Sequence, residues 1–274
     1  MRCPRGSMGI PSTLWRMVAL AHHRLLMLDY DGTLAPFTPD REQAHPIPQS
    51  LEMLRRLALS FHTSVAIVSG RPLHEVERLV GPLPAIFVGE HGWERRTPDG
   101  DIVRGPLQQS AKLAINHAER LARDAGWGPM LERKRSSVVL HTRGLAQAHA
   151  HTLHEKCYAA WEPIVSGGHV VLDRIDGGLE LRASSRNKGT VVLSLLTHSA
   201  LGTLGVFVGD DVSDEDAFEV VRDWGFGVCV GSLPRTTIAA GRLPSCDALP
   251  GFLEEWLRIM GRRDNSFEGR DSEA

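Results

Sequence analysis

The stretch LLMLDYDGTL (25–34) is apolar through Leu28 and then stops at two aspartates separated by one residue. A short apolar run bounded by turn residues reads as a strand buried on both faces of a parallel sheet. In open sheets of that kind ligands gather beyond the carboxyl ends of the strands, so Asp29 and Asp31 are expected on the floor of a crevice. D-x-D-G also makes a tight turn with no further purpose, because Asp and Gly both favour turns. A second acidic strand end weighs against that bland reading. LGVFV (204–208) leads into GDDVSDEDAF (209–218), which sets Asp210, Asp211 and Asp214 where a strand gives way to a helix. Ser213 is the expected N-cap, with Asp214, Glu215 and Asp216 at the positive end of the helix. With the two strands side by side, Asp29, Asp31 and Asp210 converge, and their repulsion calls for a cation or raised pKa values. Hard carboxylate oxygens favour Mg²⁺.

Two further strand ends supply what a phosphate needs. SVAIV (64–68) is followed by SGRP (69–72). Ser69 offers a hydroxyl, Gly70 allows close approach of backbone N–H groups, and Pro72 opens a helix whose dipole favours an anion. Arg71 is expected at the same ligand. In RNKGTVVLSLL (186–196) Lys188 stands at a helix start, where a cation is unfavourable and an anion is expected to compensate it.

Outward from these strands, short β-rich runs alternate with helical ones, the pattern of an α/β fold with a mainly parallel sheet. Strands are read at 25–29, 64–68, 85–88, 204–208 and 226–230, with helices at 49–59, 72–80, 188–199, 214–223 and 250–260. Residues 106–182 break the rhythm as an α+β block of helix 107–125, two strands within 131–142, helix 146–160 and strands within 164–182. Because the parallel pattern resumes afterwards, the block reads as an insertion into a discontinuous domain of 13–105 and 183–262. Residues 1–12 and 263–274 read as flexible tails. His149, His151 and His154 share no helical face and read as solvated polar positions.

The chain has 274 residues, 42% of them apolar, enough for a substantial core. Its 31 Lys and Arg against 33 Asp and Glu give no overall case for nucleic acid or an anionic membrane. Cys3, Cys157, Cys229 and Cys246 lack metal or disulfide-scaffold spacing, which suits a reducing cytoplasm. No apolar run approaches the roughly 20 residues of a membrane span. No coiled-coil pattern is left over, so a monomer is expected.

D-x-D-G-T, S-G-R, K and G-D-D-x-x-D, in this order, resemble the haloacid dehalogenase superfamily of phosphohydrolases. The resemblance implies a Rossmann-like parallel-sheet core carrying an α+β cap. It implies Asp29 as a nucleophile that forms an aspartyl-phosphate and Asp31 as general acid and base. It further implies Mg²⁺ held by the Asp29 carboxylate, the Asp31 backbone carbonyl and Asp210, with Ser69 and Lys188 completing the phosphate cradle. Asp211, Asp214 and Thr33 would then orient these groups. LDYDGTLAPF, GEHGWE (89–94), ERKRSSVVLHTR (132–143), LELRASSRNKG (179–189) and the acidic motif resemble, more narrowly, the trehalose-6-phosphate phosphatase family. That implies hydrolysis of trehalose 6-phosphate to trehalose and phosphate, with Glu132, Lys134, Arg143 and Glu180 gripping the disaccharide, His91 at the entrance, and domains that open and close. Ser213 and Ala183 stand where that family commonly has Thr and Pro. The alternatives are a sucrose- or glucosylglycerol-phosphate phosphatase on the same core, a noncatalytic phosphosugar sensor, or a phosphoryl-accepting receiver, which has no place for the insertion.

Overall fold

A computed structural model of the chain describes residues 9–38, 40–60, 62–175, 177–232 and 236–268, with side chains up to residue 261. In chain order the elements are α1 (Ser12–Leu20), β1 (Arg24–Asp29), α2 (Pro48–Ala58), β2 (Thr63–Val68), α3 (Leu73–Val80), β3 (Ile86–Gly89), β4 (Glu94–Arg96) and β5 (Ile102–Arg104). Then come α4 (Gln109–Asp124), β6 (Leu131–Arg133), β7 (Ser137–His141), α5 (Gln147–Val165), β8 (Val170–Ile175) and β9 (Gly178–Ala183). The chain closes with α6 (Lys188–Thr197), β10 (Leu204–Gly209), α7 (Glu215–Val221), β11 (Gly225–Val230), β12 (Gly241–Leu243) and α8 (Leu249–Glu268).

Two compact units result. The larger comprises 1–103 and 188–274, and the smaller comprises 104–187. The larger is built on an eight-stranded sheet in the order β12-β11-β10-β1-β2-β3-β4-β5, parallel from β12 to β3 and turning antiparallel at β4. Every residue of β1 is buried, because alternation sends its side chains to two different cores. Leu26, Leu28 and Tyr30 join α1, α2, α3 and α8, where Trp256 is fully buried. Leu25 and Met27 join α6 and α7 on the other face. Each such Leu removed from water contributes about 1.5–3 kcal/mol, so both faces hold β1 in register.

That register decides what meets at the carboxyl ends. Leu28 pairs with Val208, and Asp29 with Val68. Asp29 is therefore level with the last residue before Ser69, and Asp210 follows one residue beyond the last residue of β10.

The smaller unit is a four-stranded antiparallel sheet, β6-β7-β9-β8, packed on α4 and α5. Ile115, Ala118, Trp161, Val138 and Leu181 are buried in it.

Several elements differ from the pattern read in sequence. α1 has no side-chain cap and becomes a helix by packing Leu14 and Val18 inward, with Trp15 stacked 5.1 Å from Phe252. The three-residue strands β4, β5 and β12 are too short to show a period. Of the expected tails, residues 9–12 lead into α1 and 263–268 continue α8, while 1–8 and 269–274 lie outside the described residues.

Candidate active site

The turn after β1 is built around one carbonyl. Tyr30 C=O accepts from Thr33, Leu34 and Ala35 N–H, and Gly32 N–H donates to Ala35 C=O. Gly32 sits at φ 79°, and a Cβ there would lie 2.3 Å from Asp210 Oδ2. Glycine is thus required both by the backbone and by the approach of Asp210. Gly32→Ala is expected to displace Asp210 and weaken binding of Mg²⁺ about tenfold or more, measured by titrating the metal against activity and melting temperature. An unchanged metal affinity would show that the Asp210 position is not needed.

Asp29 is 5% exposed and its Oδ1 lies 2.9 Å from Lys188 Nζ, which donates at 2.6 Å to Asp214 Oδ1. Lys188 is itself buried, and it opens α6 as the S-R-N-K pattern implied. Asp210 Oδ1 accepts from the Thr33 hydroxyl at 3.2 Å. Among the described residues, ligand oxygens of Asp29, Asp210 and Asp214 lie within 4.8 Å of one another. Burial raises the Asp29 carboxyl well above its ordinary value, and the neighbouring Asp214 and Asp210 add to this against the pull of Lys188. Burial likewise raises Asp210 to about 6, with Lys188 opposing and Asp214 adding. For Lys188, burial works against the charge, but Asp214 and Asp29 outweigh it and the amine is held protonated.

Three acids against one ammonium leave an excess of negative charge in a buried hollow. A divalent cation with oxygen ligands fits that donor set. Both Asp214 oxygens are already engaged, Oδ1 by Lys188 and Oδ2 by Asp211 N–H, which leaves Asp29 and Asp210 as the better ligands.

Asp211 corrects one expectation. It caps a short 3-10 turn at 212–214 by accepting from Val212 N–H, and Asp214 returns a bond to the Asp211 N–H as a capping box. The cap is Asp211 rather than Ser213, because the chain makes this turn before α7 begins at Glu215.

Ser69 Oγ accepts from Arg71 N–H at 3.1 Å, so the serine closes the loop between β2 and α3. Arg71 is not directed at a phosphate position here. Its guanidinium forks onto Asp31, with Nε at 2.7 Å from Oδ2 and Nη2 at 2.6 Å from Oδ1. It also donates to Arg41 C=O, stacks 5.3 Å over the Tyr30 ring and lies 3.9 Å from Glu75. Sequence reading missed Arg41 and Glu75, which pair at 2.8 Å; the only local signal was the i,i+4 spacing of Arg71 and Glu75. Glu90 and His91 take left-handed backbone at φ 45° and 55°, unusual for side-chain-bearing residues. This turn packs the His91 ring on Gly70, where a Cβ would come within 2.6 Å.

In the smaller unit, Glu132, Val139, Glu180 and Asp173 form one cross-strand row. Lys134 Nζ lies 3.2 Å from Glu180 Oε1, which also accepts from Ser137 Oγ at 2.6 Å, and His141 Nε2 lies 2.7 Å from Glu132. The structure therefore gathers Glu132, Lys134 and Glu180. Arg143 stands at the other end of β7 from Lys134, against Gly177.

A parallel sheet with D-x-D at one strand end, acids at the neighbouring one and a lysine between them has the core fold of the haloacid dehalogenase superfamily. Within it the chain belongs to the trehalose-phosphatase family, whose model matches residues 27–237. It is 31% identical over 234 residues to a probable trehalose-phosphate phosphatase of Sinorhizobium fredii, covering 83% of this chain and 85% of that one. It is 33% identical over 240 residues to a bifunctional trehalose-6-phosphate synthase/phosphatase of Thermoproteus tenax, covering 86% of this chain and only 32% of that protein. The C-terminal domain of the trehalose-6-phosphate phosphatase of C. albicans superposes with a TM-score of 0.79 at 21% identity, covering 94% of this chain and 99% of that one. No helix among the described residues is long and apolar enough to cross a membrane.

Proposed function

We propose that the protein is a Mg²⁺-dependent cytoplasmic phosphatase that hydrolyses trehalose 6-phosphate to trehalose and phosphate. The observation that carries this is the buried cluster of Asp29, Lys188, Asp210 and Asp214 in a chain of the trehalose-phosphatase family. The larger unit serves as catalytic core and the smaller as the substrate-recognition cap, both acting within a monomer.

Lys188 holds Asp29 Oδ1 and directs the other carboxylate oxygen at phosphorus. That oxygen attacks, the bond from phosphorus to the sugar oxygen breaks, and Asp31 supplies the proton the departing sugar takes up. Asp31 then removes a proton from water, which attacks the phosphorus of the aspartyl-phosphate and releases phosphate, so Asp29 is restored. For this the Arg71 fork must yield one Asp31 oxygen when substrate arrives. Ser69 Oγ–H and Lys188 cradle the transferring group, and His91 lies beside that loop. Mg²⁺, held by Asp29, Asp210 and the Asp31 carbonyl, would neutralise charge gathering on the phosphoryl oxygens. Glu132, Lys134, Arg143 and Glu180 read the disaccharide, since sugar hydroxyls both donate and accept.

Phosphate release from trehalose 6-phosphate, sucrose 6-phosphate, glucosylglycerol phosphate and glucose 6-phosphate, with an EDTA control, tests the assignment. Trehalose 6-phosphate is expected to be preferred by at least about tenfold in kcat/KM, roughly 1.4 kcal/mol of transition-state binding. Glu180→Gln is expected to raise KM for it more than for a small aryl phosphate. Equal rates on glucose 6-phosphate and trehalose 6-phosphate would remove the disaccharide assignment, and binding without turnover would make the protein a sensor.

The raised Asp29 and Asp210 pKa values also give a pH dependence. A folded pKa above the unfolded one contributes stability that is present below the unfolded value of 3.8 and lost as pH rises through about 6. Metal-free protein therefore loses stability across that window, whereas Mg²⁺ binds the ionised acids and displaces their protons. The rise in melting temperature on adding Mg²⁺ is expected to be larger at pH 7.5 than at pH 5 (roughly one unit above and below Asp210). A rise independent of pH would exclude these acids as the ligands.

A further inference from the structure

Opposite the catalytic end, the larger unit contains a cavity of about 420 Å³ lined by the residues that open β1, β2, β3 and β10 and by the ends of β4 and α6. It lies at the far end of the strand from Asp29, since Arg24 and Asp29 bound β1 and are separated by about 16 Å at ~3.3 Å per residue. His23, Arg24, His62, Arg95 and His198 line it, and no Asp or Glu does, although the chain carries more acids than bases. The side chains of His23, His62 and Arg95 have no ion-pair or hydrogen-bond partner among the described residues. Arg24 is fixed by its Nε bond to Val18 C=O at 2.6 Å and by Nη1 on His62 C=O at 3.4 Å, which ties two of the basic groups together. His198 Nδ1 lies 2.7 Å from Ser194 C=O, an acceptor only, so Nδ1 carries the hydrogen and Nε2 is the nitrogen left for the cavity. The last turns of α6 place no competing acceptors there, because Thr197 and Ser199 hydroxyls also donate to the carbonyls of Leu193 and Leu195.

We propose that this cavity is a second, noncatalytic binding site for a small phosphate-bearing molecule, with Arg95 as its principal anchor. A guanidinium without a carboxylate partner offers a planar fork that matches a phosphate face, and the imidazoles supply further donors. The volume falls in the range of about 300–1,000 Å³ usual for small-molecule sites, so the cavity accommodates a phosphate monoester as well as the free ion. Nothing in this inference depends on the catalytic assignment.

The test is calorimetric titration of the full chain in EDTA at low salt with inorganic phosphate, glucose 6-phosphate or malonate. Saturable binding of at least one of the two phosphates is expected, weakened about tenfold in Arg95→Ala and further in Arg95→Ala/His62→Ala. Any residual binding at the catalytic end is common to wild type and variants, so the loss reports this cavity. Arg95→Lys, which keeps the charge without the fork, is expected to fold as wild type and to weaken binding less than Arg95→Ala. Melting temperature and ligand-free turnover are expected to stay unchanged throughout. Tighter glucose 6-phosphate assigns the monoester and tighter inorganic phosphate assigns the free ion. The proposal is overturned by no saturable phosphate binding up to about 10 mM, by affinities indifferent to all three variants, or by malonate binding as tightly as phosphate.

Discussion

Asp29→Asn is expected to lower turnover of trehalose 6-phosphate about a thousandfold or more while the protein keeps its fold. The amide keeps the shape of the carboxylate but lacks the nucleophilic oxygen. Stability changes little because two terms oppose. Lys188 loses one of its two partners, yet keeps Asp214 at 2.6 Å. One member of a mutually repelling set of buried acids is removed at the same time. Steady-state phosphate release beside a thermal melt separates chemistry from folding. Full activity in Asp29→Asn would remove the covalent mechanism, whereas lost activity with a collapsed melt would leave Asp29 a structural role only.

Lys188→Met carries the largest expected loss of stability. The ammonium is the cation seated between Asp29 and Asp214, all three nearly inaccessible to water. Removing one partner from a buried ionic set typically costs about 3–5 kcal/mol, because uncompensated charge stays behind. Metal-free Lys188→Met is therefore expected to melt well below the wild type, and added Mg²⁺ to recover part of the difference. Activity should stay low even where the fold recovers, since Asp29 is no longer oriented. Denaturant titration in EDTA and in Mg²⁺ measures both. A metal-free variant as stable as the wild type would show that the acids are already neutral and that Lys188 does not hold them.

Much of the core was legible because its signals are local. An apolar run with no polar alternation reports a strand buried on both faces, and β1 is buried at every residue. The helices 48–58, 109–124 and 188–197 carry their own periodicity or cap chemistry. By contrast, α1 owes its helix to contacts with α8 far along the chain, and β4, β5 and β12 owe theirs to sheet neighbours. The cap of the acidic turn was misplaced for a similar reason. Ser213 has the better side chain for a helix start, but the reciprocal bonds of Asp211 and Asp214 close an earlier 3-10 turn.

Residue type and spacing were thus sufficient to name Asp29, Asp31, Ser69, Lys188 and Asp210 as groups at strand ends or at the helix start facing them, since period and turn chemistry are properties of neighbouring residues. Their mutual distances were not accessible in that way. Parallel pairing of β1 with β10 and β2 brings together positions about 40 and 180 residues apart, and only that register sets Lys188 between Asp29 and Asp214. The grip of Arg71 on Asp31 is of the same kind, because a contact between side chains remote in sequence is decided by how strands stack and not by what either residue is.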